Sequence, residues 1–182
     1  LQPARILRKE KENRQKAQNI VLEAHNLEAL GKKKQALELY EKAYSLWKDN
    51  LDLIMKTASL HFLQGQYAKS YYFAGQALKL NPKNSEAALY GAISAAEMGK
   101  KEDARHLFEL AIKARPEIPE AFFNYALFLK KHKEFDKAMS IYQRHEQLFG
   151  PSLNVRLEMA GLYEIQGKAS NACNTYEEIS NS

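Results

Sequence analysis

Small and bulky apolar residues recur along this chain at a fixed interval of 34 positions. Ala24, Ala58, Ala92, Ala126 and Ala160 form one unbroken column at that spacing, and Ala36, Ser70, Ala104, Ala138 and Ala172 form a second. Four residues after the second column come Tyr40, Phe108, Tyr142 and Tyr176, with Ala74 the exception. A third, shorter column runs Ala43, Ala77, Ala111 and is broken by His145 and Ile179. Between the two main columns stand Gly31, Gly65, Gly99, Lys133 and Gly167, again in register. Apolar positions three and four apart describe one face of a helix. A turn residue in mid-unit and a proline near the end (Pro82, Pro116, Pro151) mark where each helix stops, because proline cannot continue the hydrogen-bond ladder. The pattern predicts an all-α array of two-helix units at about 17–50, 51–84, 85–118, 119–152 and 153–182, in which each unit packs only on its neighbours. Residues 1–16 carry no repeat signature and are predicted to be a basic lead-in helix or linker that runs into the first unit.

These columns resemble the tetratricopeptide repeat, a 34-residue helix–turn–helix unit. The matching residues in the second unit are Ile54, Ala58, Gly65, Tyr67, Ala77 and Pro82. In the third they are Ala92, Gly99, Ala104, Phe108, Ala111 and Pro116, and in the fourth Phe122, Ala126, Phe135, Ala138 and Tyr142. Departures are Glu23 and Gly91 where the family usually has leucine, Lys33 and Lys101 where it has an aromatic, and His145 where it has a small residue. The resemblance covers about 17–182 and implies a right-handed α-solenoid whose first helices line a concave groove.

Charge changes the picture only locally. The net charge is +5, but residues 1–16 hold six basic and two acidic side chains, which leaves a net +1 on the other 166. A near-neutral body argues against nucleic acid as partner, since that would need a basic stripe on the folded surface. Lysines gather at the turns (Lys32, Lys33, Lys34, Lys100, Lys101, Lys130, Lys131, Lys133, Lys168) and are read as solvated charge. The single cysteine, Cys173, excludes an internal disulfide and is read as a small packing residue. It favours the cytoplasm and leaves a periplasmic or membrane-associated location open. The chain opens on Leu1 rather than a methionine, so a membrane anchor or targeting segment outside it stays an alternative.

Nothing in the spacing points to catalysis. His25, His61, His106, His132 and His145 fall at different places in their units, with no pair at metal-ligand spacing. There is no Gly-rich phosphate loop and no nucleophile–base arrangement. The expectation is a protein without enzymatic activity, cofactor or metal. Three adjacent aromatics, Tyr71, Tyr72 and Phe73, cannot share one helix face, so at least one should be exposed.

The candidate site is the inward stripe that the resemblance implies. Counting from the alanine column, the helical repeat turns Val21, Met55, Leu89, Phe123 and Leu157 inward, then His25, Ser59, Ile93 and Leu127. Gly161 completes that second set, and one turn further come Glu28, Phe62, Ala96, Lys130 and Glu164. The stripe suits a peptide or helix of a partner protein; the alternative is that packing within the array, or the N-terminal helix, covers it. Some family members hold a C-terminal carboxylate with a cationic clamp on these helices. Here Glu86 and Glu120 stand at the matching places and would repel it. The expected function is a scaffold within a larger assembly. Self-association into a homo-oligomer, or assembly work on a membrane through an anchor outside this chain, are the alternatives.

Overall fold

The computed structural model describes residues 2–180; Leu1, Asn181 and Ser182, which the repeat register assigns to the lead-in and the fifth unit, lie outside them. Among the described residues there are ten α-helices and no strand. They are α1 (Gln2–Ala29), α2 (Lys33–Leu46), α3 (Leu51–Leu63), α4 (Tyr67–Leu80) and α5 (Ser85–Glu97), then α6 (Lys101–Lys113), α7 (Pro119–Lys131), α8 (Phe135–Phe149), α9 (Leu153–Ile165) and α10 (Ala169–Ser180). Odd-numbered helices are the first of each pair. α1 continues without a break from the basic segment into the first pair.

Local chemistry explains the boundaries. Asn50 and Asn84 sit just before α3 and α5, where their side chains accept hydrogen bonds from Leu53 N (3.0 Å) and Ala87 N (2.8 Å). Pro119 opens α7, where its missing N–H costs nothing. The mid-unit turns all use left-handed backbone: φ is +74° at Gly31, +69° at Gly65, +73° at Gly99 and +70° at Gly167. Glycine takes that conformation freely. Lys133 takes it too, at φ 63°, with a Cβ clash worth about 1 kcal/mol.

Both small columns are closed to solvent, from Ala24 through Ala160 and from Ala36 through Ala172. The bulky Tyr40, Phe108 and Tyr142 are buried between them, each contributing about 2 kcal/mol through burial of apolar surface. Burial pushes the Tyr40 and Tyr142 hydroxyls well above the ordinary phenol range. Each second helix packs on the next first helix, and first helices also touch one another (α3 with α5, α5 with α7), whereas no two second helices come as close. The stack is therefore tightest along its first helices, and they form the inside of the solenoid.

Two departures from the repeat pattern explain each other. Gly91 and Ala74 abut across the α4–α5 junction: a Cβ added at Gly91 would lie 3.4 Å from the Ala74 Cβ and 3.2 Å from the Leu107 side chain. Small residues on both sides let the two helices run close together. Cys173 differs from expectation. It is exposed, because its neighbour Ala172 occupies the inward position. Of the aromatic triplet, Phe73 is buried and Tyr72 is 52% exposed.

Candidate functional site on the inner face

The first helices carry one repeated geometry. A residue in the last turn of one first helix meets the residue 28 positions on, in the middle of the next: Glu28 with Lys56 (2.7 Å) and Lys130 with Glu158 (2.7 Å). At the same register Phe62 meets Tyr90, ring centroids 5.2 Å apart. At the remaining junction the pair is Ala96 and Asn124, which are too short to meet in this way; the Asn124 amide instead donates to the Glu120 carbonyl at 2.8 Å. The inner surface thus runs from an ion pair, through an aromatic pair and a small-residue gap, to a second ion pair. Burial raises the Glu28 carboxyl, yet hydrogen bonds from Lys56 and Tyr40 outweigh it and hold Glu28 below the ordinary carboxylate range.

The inward residues divide by exposure. Val21, Met55, Ser59, Phe62, Ile93, Phe123, Leu127 and Lys130 are half-buried on the first helices, with Val21, Met55, Ile93 and Phe123 packed against the core clusters. His25 is exposed, its ring 5.7 Å from that of Tyr40. Leu157, at the far end, is 45% exposed. Leu89 is only 8% exposed and lies inside the core, so it has little surface to offer.

The structure gathers some of these residues into hollows between units. Val21 and His25 line one of about 290 Å³, with Tyr40, Asp52 and Lys56. Phe123 lines another of about 180 Å³, with Glu120, Asn124, His145 and Asn154. Glu28 lies on the stripe deduced from sequence; its partner Lys56, with Tyr90 and Glu158, completes the inner surface and is absent from that stripe. The 28-residue spacing between facing positions would have found them. Asp52, Glu86 and Glu120, each in the first turn of its helix, are exposed, and none makes an ion pair among the described residues.

Two histidines, His61 and His145, are buried in the array. His61 is fully buried, stacked on Phe73 at 5.5 Å, with its ring nitrogens 2.7 Å from Gln66 and 2.9 Å from Glu41. His145 is buried against Phe149. Among the described residues no group of three or more His, Cys, Asp or Glu side chains could hold a metal ion. No described helix is long and apolar enough to cross a membrane.

Two family models described as tetratricopeptide repeat match residues 9–50 and 91–152, together more than half of the chain. A third, described as anaphase-promoting complex, cyclosome, subunit 3, matches residues 31–111. In sequence the chain is similar to BBSome complex member BBS4 of Bos taurus, 26% identical over 119 residues, which is 64% of this chain and 23% of that protein. The chain therefore spans about a quarter of the length of the curated relatives it matches. In fold it is similar to the crystal structure of MamA, with a TM-score of 0.81 at 16% identity, covering 87% of this chain and 92% of that one. It is also similar to YrrB, described as a TPR protein with an unusual peptide-binding site, with a TM-score of 0.71 at 14% identity over 89% and 84% of the two chains.

Proposed function

We propose, from the premise that this chain belongs to the tetratricopeptide repeat family, that it is a scaffold whose inner face holds a segment of a partner protein. The observation that carries this reading is the run of half-exposed apolar side chains on successive first helices: Met55, Phe62, Ile93, Phe123 and Leu127. Met55, Ile93 and Phe123 pack on the core with one side, Phe62 packs on the rings of Tyr67 and Tyr90, and all five keep part of their surface open. An array needs the packing to stand and the open surface only if something docks. The peptide-binding site of YrrB and the membership of BBS4 in a complex are consistent with it. The occupant is an extended or helical segment, and the scaffold acts without chemistry of its own.

The test avoids Leu89, where a charge would unfold the core. Met55→Lys with Leu127→Lys places two cations on the stripe while their long stems keep the packing. Capture of partner proteins by the whole chain should fall at least about tenfold, with the helical circular-dichroism signal unchanged. Undiminished capture by the folded double variant would overturn the placement.

A second reading rests on the far end of the stack. Leu153, Leu157, Ile165 and Tyr176 of α9 and α10 are 40–58% exposed there. Such an end can pack on a second copy. Light scattering that shows a monomer at all concentrations would count against it.

A further inference from the structure

One hollow of the inner face is walled by acceptors and an aromatic ring, with a buried imidazole beside it. It lies where the fourth unit meets the fifth, between α7, the C-terminal half of α8 and the start of α9. His145 stands in its wall, at the place where the earlier units have Ala43, Ala77 and Ala111. The side chain is 6% exposed and its Nδ1 has no hydrogen-bond partner. A buried polar atom without a partner costs about 1–3 kcal/mol, and an alanine here would fill the column without that cost.

The rest of the wall is rich in acceptors. Glu120 is exposed and has no ion pair among the described residues. Ser152 sits just before α9, yet its side chain makes no capping bond to the helix. Asn154 and Asn124 add amide oxygens, and Phe123 offers a half-exposed ring. Arg156, on the same stretch of α9, is already engaged by Glu146 at 3.0 Å and leaves Glu120 without a cation. Burial lowers the basicity of the His145 ring. A neutral imidazole puts no repelling charge beside an incoming cation.

We propose that this notch receives an arginine side chain of the partner segment, its guanidinium paired with Glu120, donating to the amide oxygens of Asn124 and Asn154 and stacked on Phe123, beside the buried ring of His145. A guanidinium suits the site better than an ammonium. It is planar, it presents five donors in a fixed fork to several acceptors, and it stacks on an aromatic face. The hollow of about 180 Å³ takes one long side chain and no second residue. Asp52 and Glu86, at the same register on α3 and α5 and without an ion pair among the described residues, extend the acidic edge along which the neighbouring part of a basic segment would lie. The proposal rests on the reading of the inner face as the partner surface and adds the chemistry of the occupant.

The test titrates N-acetyl-arginine amide into the whole chain and follows the ring resonances of His145 by NMR. The expected result is a saturable shift of His145, weaker by about tenfold with the neutral citrulline analogue and weakened by about tenfold in Glu120→Gln, which lies on the surface and keeps the fold. N-acetyl-lysine amide should bind more weakly than the arginine derivative. No shift at His145, an equal response to citrulline or lysine, or insensitivity to Glu120→Gln would overturn the proposal. The outcome is separable from the groove reading, since Met55 and Leu127 lie outside the notch. Capture that depends on them with a silent His145 removes the arginine site alone. A responding His145 with capture indifferent to Met55 and Leu127 removes the groove and keeps the notch.

Discussion

The junction between the second and third units and the junction between the third and fourth solve the same packing problem in opposite ways. At the first, Ala74 faces Gly91, and α4 and α5 run close together. At the second, the equivalent residues are Phe108 and Tyr125, whose rings stack 5.5 Å apart with Phe128 a further neighbour, and α6 and α7 stand further off. The inner surface compensates in the reverse sense. Above the small–small junction sits the Phe62–Tyr90 pair; above the ring stack sit only Ala96 and Asn124. Bulk withdrawn from one layer of a junction reappears in the other. The two junctions keep one register while presenting different surfaces to a partner.

The contrast can be broken most severely at its aromatic side. Phe108→Ala should destabilise by about 3–4 kcal/mol, because the ring is 2% exposed and its removal leaves a cavity against Tyr125 and Phe128; a denaturant titration with unchanged slope would read it. Restoring the family's usual leucine at the other junction should also destabilise. Gly91→Leu forces a side chain into contact with Leu107 and Ala74 and should cost about 2 kcal/mol by thermal melting. A stabilised Gly91→Leu would show that the two departures are not coupled. The smallest effect lies in an ion pair at the ring-stack junction. Arg105 of α6 reaches Glu134, just before α8, and its hydrogen bonds, with those of Lys137, hold the Glu134 carboxyl at about 2, well under its ordinary 4.5. The folded value is depressed, so the stabilisation is present above about pH 4.5 and is lost as pH falls toward 2. Glu134→Gln should cost about 1 kcal/mol at pH 7, after allowance for solvent screening, and should flatten the acid limb of the stability profile.

The repeat made much of this legible beforehand. A column of alanines at constant spacing fixes which helix faces touch, and every one of those alanines is buried. Departures were visible but could not be interpreted singly. Gly91 makes sense only beside Ala74, which is 17 residues away in sequence and adjacent in space. The inward stripe followed from helical periodicity, but periodicity does not measure depth. Leu89 therefore fell on the stripe and proved to be core. Cross-helix partners such as Lys56 and Tyr90 escaped because they depend on how far one unit is rotated on the next. His145 stood out as a large polar residue in a small column, while its unpartnered nitrogen could be seen only in three dimensions.

Which face of the solenoid meets the partner is the central question, and site-specific photo-crosslinking addresses it most directly. A photoreactive amino acid at position 127, half-buried on the inner α7, should link to the captured protein. The same group at position 148, exposed on α8, should not. Crosslinks from 148 with none from 127 would place the partner on the second helices and contradict the inner-face account.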